Sequence, residues 1–189
     1  MDDQAKPQLA GDLAMWIFIY AELLVFGIFF IGYAFTRAYN IELFNAGQAT
    51  LDKELGAFNT LVLITGSYCV VRAVTAIRQE QSPVCVRWLG AALASGLLFL
   101  IVKVFEYKDK LAAGYDLDSN LFFMFYFSLT FFHFMHVILG MVILGFVLLK
   151  TQRGGYSASE HRGLESAASY WHMVDLVWVV LFPLLYILK

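Results

Sequence analysis

The chain has 189 residues, of which 60% are hydrophobic, 17% aromatic and only 15% charged, with a net charge of −2. A charged share well under the roughly 25% of soluble domains excludes a disordered chain, and without a basic cluster nucleic acid is excluded as a partner. The expected class is all-α: an integral membrane bundle forming one domain across residues 1–189.

A membrane-spanning helix needs about 20 mostly apolar residues. Five segments qualify, at about 13–35, 55–77, 88–107, 121–149 and 170–188. Ahead of the first, Met1 to Leu13 is acidic and polar. The apolar run behind it is too long for a signal peptide and lacks a small-residue cleavage site. The first segment is interrupted only by Glu22, which a helix would carry to near mid-bilayer. An acidic residue there costs about 2.5–3.5 kcal/mol, so it is expected to be protonated, hydrogen-bonded or close to water. A proton relay, contact with a lipid head group, and a structural hydrogen bond to another helix each meet that requirement.

Thr36 to Glu54 is read as a polar link and Arg78 to Pro83 as a tight polar turn. Cys69 and Cys85 have no CxxC or haem-attachment spacing and read as small buried apolar side chains. On the third segment Gly90/Ala94 and Ala92/Gly96 have small-xxx-small spacing, suited to a helix contact within the bundle or between subunits. Near its end Lys103 and Glu106 lie three residues apart and can pair on one face. The favoured reading is an interfacial ion pair with a snorkelling lysine; the sharper one joins Glu106 to a histidine of the fourth segment.

The fourth segment is the longest and is expected to tilt or overrun the bilayer. It carries His133 and His136, three apart among phenylalanines. A histidine–carboxylate hydrogen-bond network tying helices together is favoured over a metal or haem site and over a pH switch. Di-iron bundles use Glu-x-x-His with further glutamates, and only Glu22, Glu106 and Asp175 are available. Lys150 to Ser169 is the next link. The last segment opens with Tyr170-Trp-His-Met-Val-Asp-Leu-Val-Trp178, which puts His172 and Asp175 on one face. Tyr170, Trp171 and Trp178 suit a membrane interface. Pro183 removes a backbone donor at a site for a kink.

Lysine and arginine split seven to six between the two sides, counted as Lys6, Arg72, Arg78, Arg87, Lys150, Arg153 and Arg162 against Arg37, Lys53, Lys103, Lys108, Lys110 and Lys189. The arginine-rich tight turn is the cleaner signal and places the N-terminus in the cytoplasm.

Taken together, these stretches resemble subunit III of the haem-copper oxidases. Met15 to Phe26, with Glu22 amid aromatics, is similar to that family's acidic helix, with Ala21 where the family usually has serine. Phe58 to Ser67 resembles its Leu-Asn-Thr helix, and Phe105-Glu-Tyr107 its Glu-Tyr pair. Phe132 to Gly140 resembles its His-x-x-His-x-x-x-Gly helix, and Tyr170 to Trp178 its Trp-His-x-x-Asp-x-x-Trp. The five motifs recur in the family's order over nearly the whole chain.

The resemblance implies an accessory subunit with no redox cofactor of its own, set beside a haem-copper catalytic subunit that holds the haem and the copper or iron. It implies structural phospholipid and support of stability, assembly and proton uptake. Glu22 matches the family's buried carboxylate near lipid, while Glu106, His133, His136, His172 and Asp175 match its helix-linking polar residues. Many members have seven helices and this chain matches the last five, so a lipid cleft involving the first two is not carried over. Five-helix forms occur in bacterial quinol oxidases and in NorE-type proteins associated with nitric oxide reductases; compact length favours the latter. The expected location is the bacterial inner membrane. The rivals are a small proton-coupled transporter using Glu22 and the membrane histidines, and a self-contained haem or di-metal enzyme.

Overall fold

Five long helices and one short one carry the sequence in the computed structural model, which describes residues 12–188. They are α1 (Leu13–Tyr39), α2 (Ile41–Ala49), α3 (Lys53–Arg78), α4 (Ser82–Ala112), α5 (Leu121–Gln152) and α6 (Arg162–Phe182). A π-helical turn, Pro183–Ile187, continues α6. Among the described residues there is no strand. The expected polarity of Met1 to Gly11 and the charges of Lys6 and Lys189 lie outside them.

Side-chain caps start three of the spans: Asp12 accepts from the Ala14 amide, Asp52 from those of Glu54 and Leu55, and Asn120 from that of Phe123. The spans run to 26–32 residues, which at about 1.5 Å per residue exceeds a hydrocarbon core of roughly 30 Å. Helices α3, α4, α5 and α6 close a four-helix ring, each packed on its two neighbours. Helix α1 lies outside the ring against α6 and α5, and is the least buried span; α6 is the most buried.

Three expectations are corrected. The link 36–54 is not simply polar: α2 forms there and buries Phe44, Gly47 and Gln48, with Phe44 edge-on to Tyr33 at 5.1 Å. Nine residues are too few to register as a span, but enough to cover one end of the bundle. The last span starts at Arg162, not Tyr170, because Ser166, Ala167 and Ala168 are too small to raise hydropathy much yet pack into the interior. The extra turns move Tyr170, Trp171 and Trp178 from the interface into the core, where they are at most 1% exposed.

Trp171 shows how that core is filled. An added Cβ at Gly66, Gly96 or Gly140, one glycine each from α3, α4 and α5, would lie 3.5, 2.8 and 3.1 Å from its indole. Three missing side chains make the slot that one large ring occupies. At the turn between α3 and α4, Glu80 adopts a left-handed conformation (φ 59°), and its carboxylate accepts from the Ala158 amide of the next loop. Pro183 begins the π-helical turn, where the Leu188 amide bonds the Pro183 carbonyl. The Leu184 carbonyl there accepts from Tyr33 (3.1 Å) and Gln48 (3.1 Å), fastening α1 and α2 to the end of α6.

Candidate functional site: the polar groups inside the spans

Lys103 and Glu106 sit on the inner face of α4, 0% and 2% exposed. The Lys103 ammonium donates to Glu106 Oε2 at 2.9 Å and to the hydroxyls of Tyr186 (2.7 Å) and Tyr126 (3.4 Å). Both tyrosines donate in turn to Glu106 Oε1, at 2.5 and 2.7 Å. The ammonium also lies 4.9 Å over the Tyr126 ring and 5.3 Å over Trp178. Such a cluster is tolerable in a low-dielectric interior because the two charges cancel and their hydrogen-bonding capacity is met. The expected interfacial, snorkelling pair is therefore a buried one, and the partners of Glu106 are tyrosines rather than a histidine. Snorkelling fails because α4 runs on to Ala112, leaving Lys103 about 13 Å short of the helix end.

Glu22 meets His136 across the α1–α5 contact, with Nε2 to Oε2 at 2.9 Å. The other imidazole nitrogen, Nδ1, lies 2.8 Å from the Phe132 carbonyl, which can only accept, so Nδ1 carries hydrogen. One further proton must then sit between His136 and Glu22, either as imidazolium with carboxylate or as imidazole with carboxylic acid. Both states are net neutral, which suits the surroundings of Phe26 and Phe132, 5.2 and 4.7 Å from the imidazole. The Glu22 side chain retains 19% exposure at the outer edge of that contact.

His133, one turn away, faces the ring interior. Its Nε2 donates to the Val174 carbonyl at 3.0 Å, with Phe99 and Trp178 packed against the imidazole. The two histidines are thus committed to different helices, His133 to α6 and His136 to α1. Among the described residues no three His, Cys, Asp or Glu side chains converge to hold a metal.

On the far side of α6, His172 Nδ1 lies 3.1 Å from the Ser67 hydroxyl of α3, with Asp175 buried one turn further along α6. His172 lines an open cleft of about 210 Å³ between α3 and α6, together with Arg78 and Glu165. Glu165 pairs with Arg78 at 2.6 Å and His161 at 3.2 Å near the N-terminal side.

The six polar residues singled out from the sequence therefore form separate clusters, each bridging two or three helices, rather than one network. Glu22 and His136 are the only two of them bonded directly. Ser67, Tyr126 and Tyr186 were missed: hydroxyl-bearing residues are common in such segments, and their role comes from contacts 20 to 105 residues away in sequence. Trp178, expected at an interface, donates from Nε1 to the Thr60 hydroxyl at 3.0 Å inside the bundle. Cys69 and Cys85 are free and buried, as read from their spacing.

Residues 8–189 match the family model described as cytochrome c oxidase subunit III. A cytochrome c oxidase subunit 3 of Thermostichus vulcanus is 34% identical over 177 residues, covering 93% of this chain and 86% of that protein. Its counterpart in a Synechocystis species is 35% identical over 181 residues, covering 94% and 76%. A heme-copper oxidase subunit I+III of Aeropyrum pernix is 32% identical over 183 residues, covering 92% of this chain and 22% of that longer protein.

Proposed function

The chain belongs to the cytochrome c oxidase subunit III family, and we propose that it is the accessory, redox-inactive subunit of a bacterial haem-copper oxidase. It packs beside the catalytic subunit, which holds the haem and copper, and helps that subunit survive repeated turnover. A relative in which subunits I and III carry one name supports the pairing. The oxidase names of the relatives favour an oxidase over a nitric oxide reductase as the complex. The N-terminus is assigned to the cytoplasmic side of the inner membrane.

The observation that carries the reading is the state of the ionisable groups inside the spans. Lys103, Glu106, His133 and His136 are all held by side chains or carbonyls of this chain. Groups engaged in this way join helices. Glu22 differs, because its carboxyl reaches the outer edge of α1 and holds a proton jointly with His136. We assign it the contact with structural phospholipid and a share in sustaining proton uptake. The test is Glu22→Gln in the assembled complex. Haem content is expected to stay normal while activity decays faster over successive turnovers; unchanged inactivation kinetics would remove Glu22 from this role.

A further inference from the structure

The four-helix ring presents a surface with groups that hydrocarbon does not satisfy. Along the outside of α3 run Leu61, Thr65, Tyr68, Arg72 and Thr75, at the alternating three- and four-residue spacing that makes a single helix face. The two threonine hydroxyls donate to carbonyls one turn back, Thr65 to Leu61 and Thr75 to Val71, so they need nothing from outside. Tyr68 and Arg72 are different. Both are exposed, Tyr68 at 54%, and among the described residues neither its hydroxyl nor the Arg72 guanidinium has a hydrogen-bond or ion-pair partner.

Their depth matters. Tyr68 lies ten residues, about 15 Å, from the Arg78 end of a helix that overhangs a roughly 30 Å core by about 4–5 Å per side. Its α-carbon is then about 10 Å below the border of the hydrocarbon, beyond the plane of lipid head groups. Arg72 does not reach outward either. Its guanidinium lies 5.4 Å over Trp88 of α4, whose ring stands edge-on to Tyr68 at 6.0 Å. The three side chains pack against one another, the kind of aromatic and arginine surface that anchors interfaces. On α4, Ala91, one turn on from Trp88, and Ala94 are exposed, so another helix can approach closely. Gly96 of the other small-residue pair is instead used up inside, against Trp171. The outside of α5, by contrast, presents Phe131, Met135, Leu139, Val142 and Phe146, with no polar group to satisfy.

We propose that this α3–α4 face, centred on Tyr68, Arg72 and Trp88, is the surface that docks onto the catalytic subunit. The matching surface is a transmembrane helix face carrying a carboxylate for Arg72 and a hydrogen-bond acceptor for the Tyr68 hydroxyl. A lipid tail supplies neither. The inference rests on the accessory-subunit reading above and adds which face makes the contact.

The test places a photo-crosslinking phenylalanine analogue at Tyr68 or Thr65, and as controls at Val142 or Phe146, in the tagged full chain expressed with its complex. Crosslinks to the haem-bearing subunit are expected from the two α3 positions and not from the α5 positions. The pair Tyr68→Phe with Arg72→Gln is expected to lower haem retained per chain by about tenfold or more, while Val142→Ala leaves it unchanged. If the haem subunit co-purifies but crosslinks from α5, or if α3 crosslinks only lipid, the docking face is wrong and the accessory reading stands. If no haem subunit co-purifies with the unaltered chain, both fail.

Discussion

Replacing Lys103 by methionine separates a buried ion pair from an interfacial one. An exposed lysine–glutamate pair contributes about 0–1 kcal/mol, so its loss would barely register. Here the ammonium is fully buried and makes hydrogen bonds to Glu106, Tyr186 and Tyr126. Methionine fills the volume of the aliphatic stem but leaves a carboxylate without its counter-charge, and breaking a buried pair this way costs about 3–5 kcal/mol. Glu106→Gln alone leaves the ammonium stranded and should cost a similar amount. The double variant is neutral, and its amide oxygen can still accept from one or both tyrosines. It should cost only about 1–3 kcal/mol rather than the sum of the two single changes. The assay is reversible unfolding in mixed micelles, followed by the fluorescence of the buried Trp171 and Trp178. A loss under about 1 kcal/mol for Lys103→Met, or strict additivity in the double variant, would refute a buried, mutually satisfied cluster.

Three further outcomes follow from particular contacts. Gly96→Val should destabilise the bundle by about 1–3 kcal/mol in the same unfolding assay, because a Cβ there lies 2.8 Å from the Trp171 ring; adding Trp171→Phe should recover part of the loss. Gln48→Leu or Tyr33→Phe alone should each cost about 0.5–1.5 kcal/mol, since the other still caps the Leu184 carbonyl. Together they should cost more than their sum, read as faster hydrogen exchange at the end of α6. Arg78→Ala removes a pair in which the arginine side chain is 58% exposed, and should change stability by less than about 1 kcal/mol.

The spans were legible because lipid demands long apolar runs, and each of the five expected segments lies within or largely overlaps a helix. Their ends were not. The stretch before Tyr170 is helical because the small residues Ser166, Ala167 and Ala168 let α6 pack, a property that average hydropathy does not register. The polar residues were also legible as exceptional, since a charge or imidazole inside a span is costly wherever it points. Their partners were not, for a geometric reason. Positions 133 and 136 are about 60° apart around a helix, enough to send one histidine to α6 and the other to α1. Glu106 and Tyr186 are joined across 80 residues by a π-helical turn that begins at Pro183, and no local spacing encodes that meeting. Trp171 read as interfacial because it opens an apolar run; its true place depends on three glycines on three other helices.

The most direct measurement is to purify the full chain, tagged at its C-terminus, from its own membranes in mild detergent. The eluted subunits are then identified by mass, and iron and copper are assigned to individual polypeptides. A haem-copper catalytic subunit is expected to co-elute and carry the metals, with the chain itself colourless once separated. Elution without any haem protein, or iron or copper bound by this chain through His133 and His136, would contradict an accessory subunit whose ionisable groups serve to join its own helices.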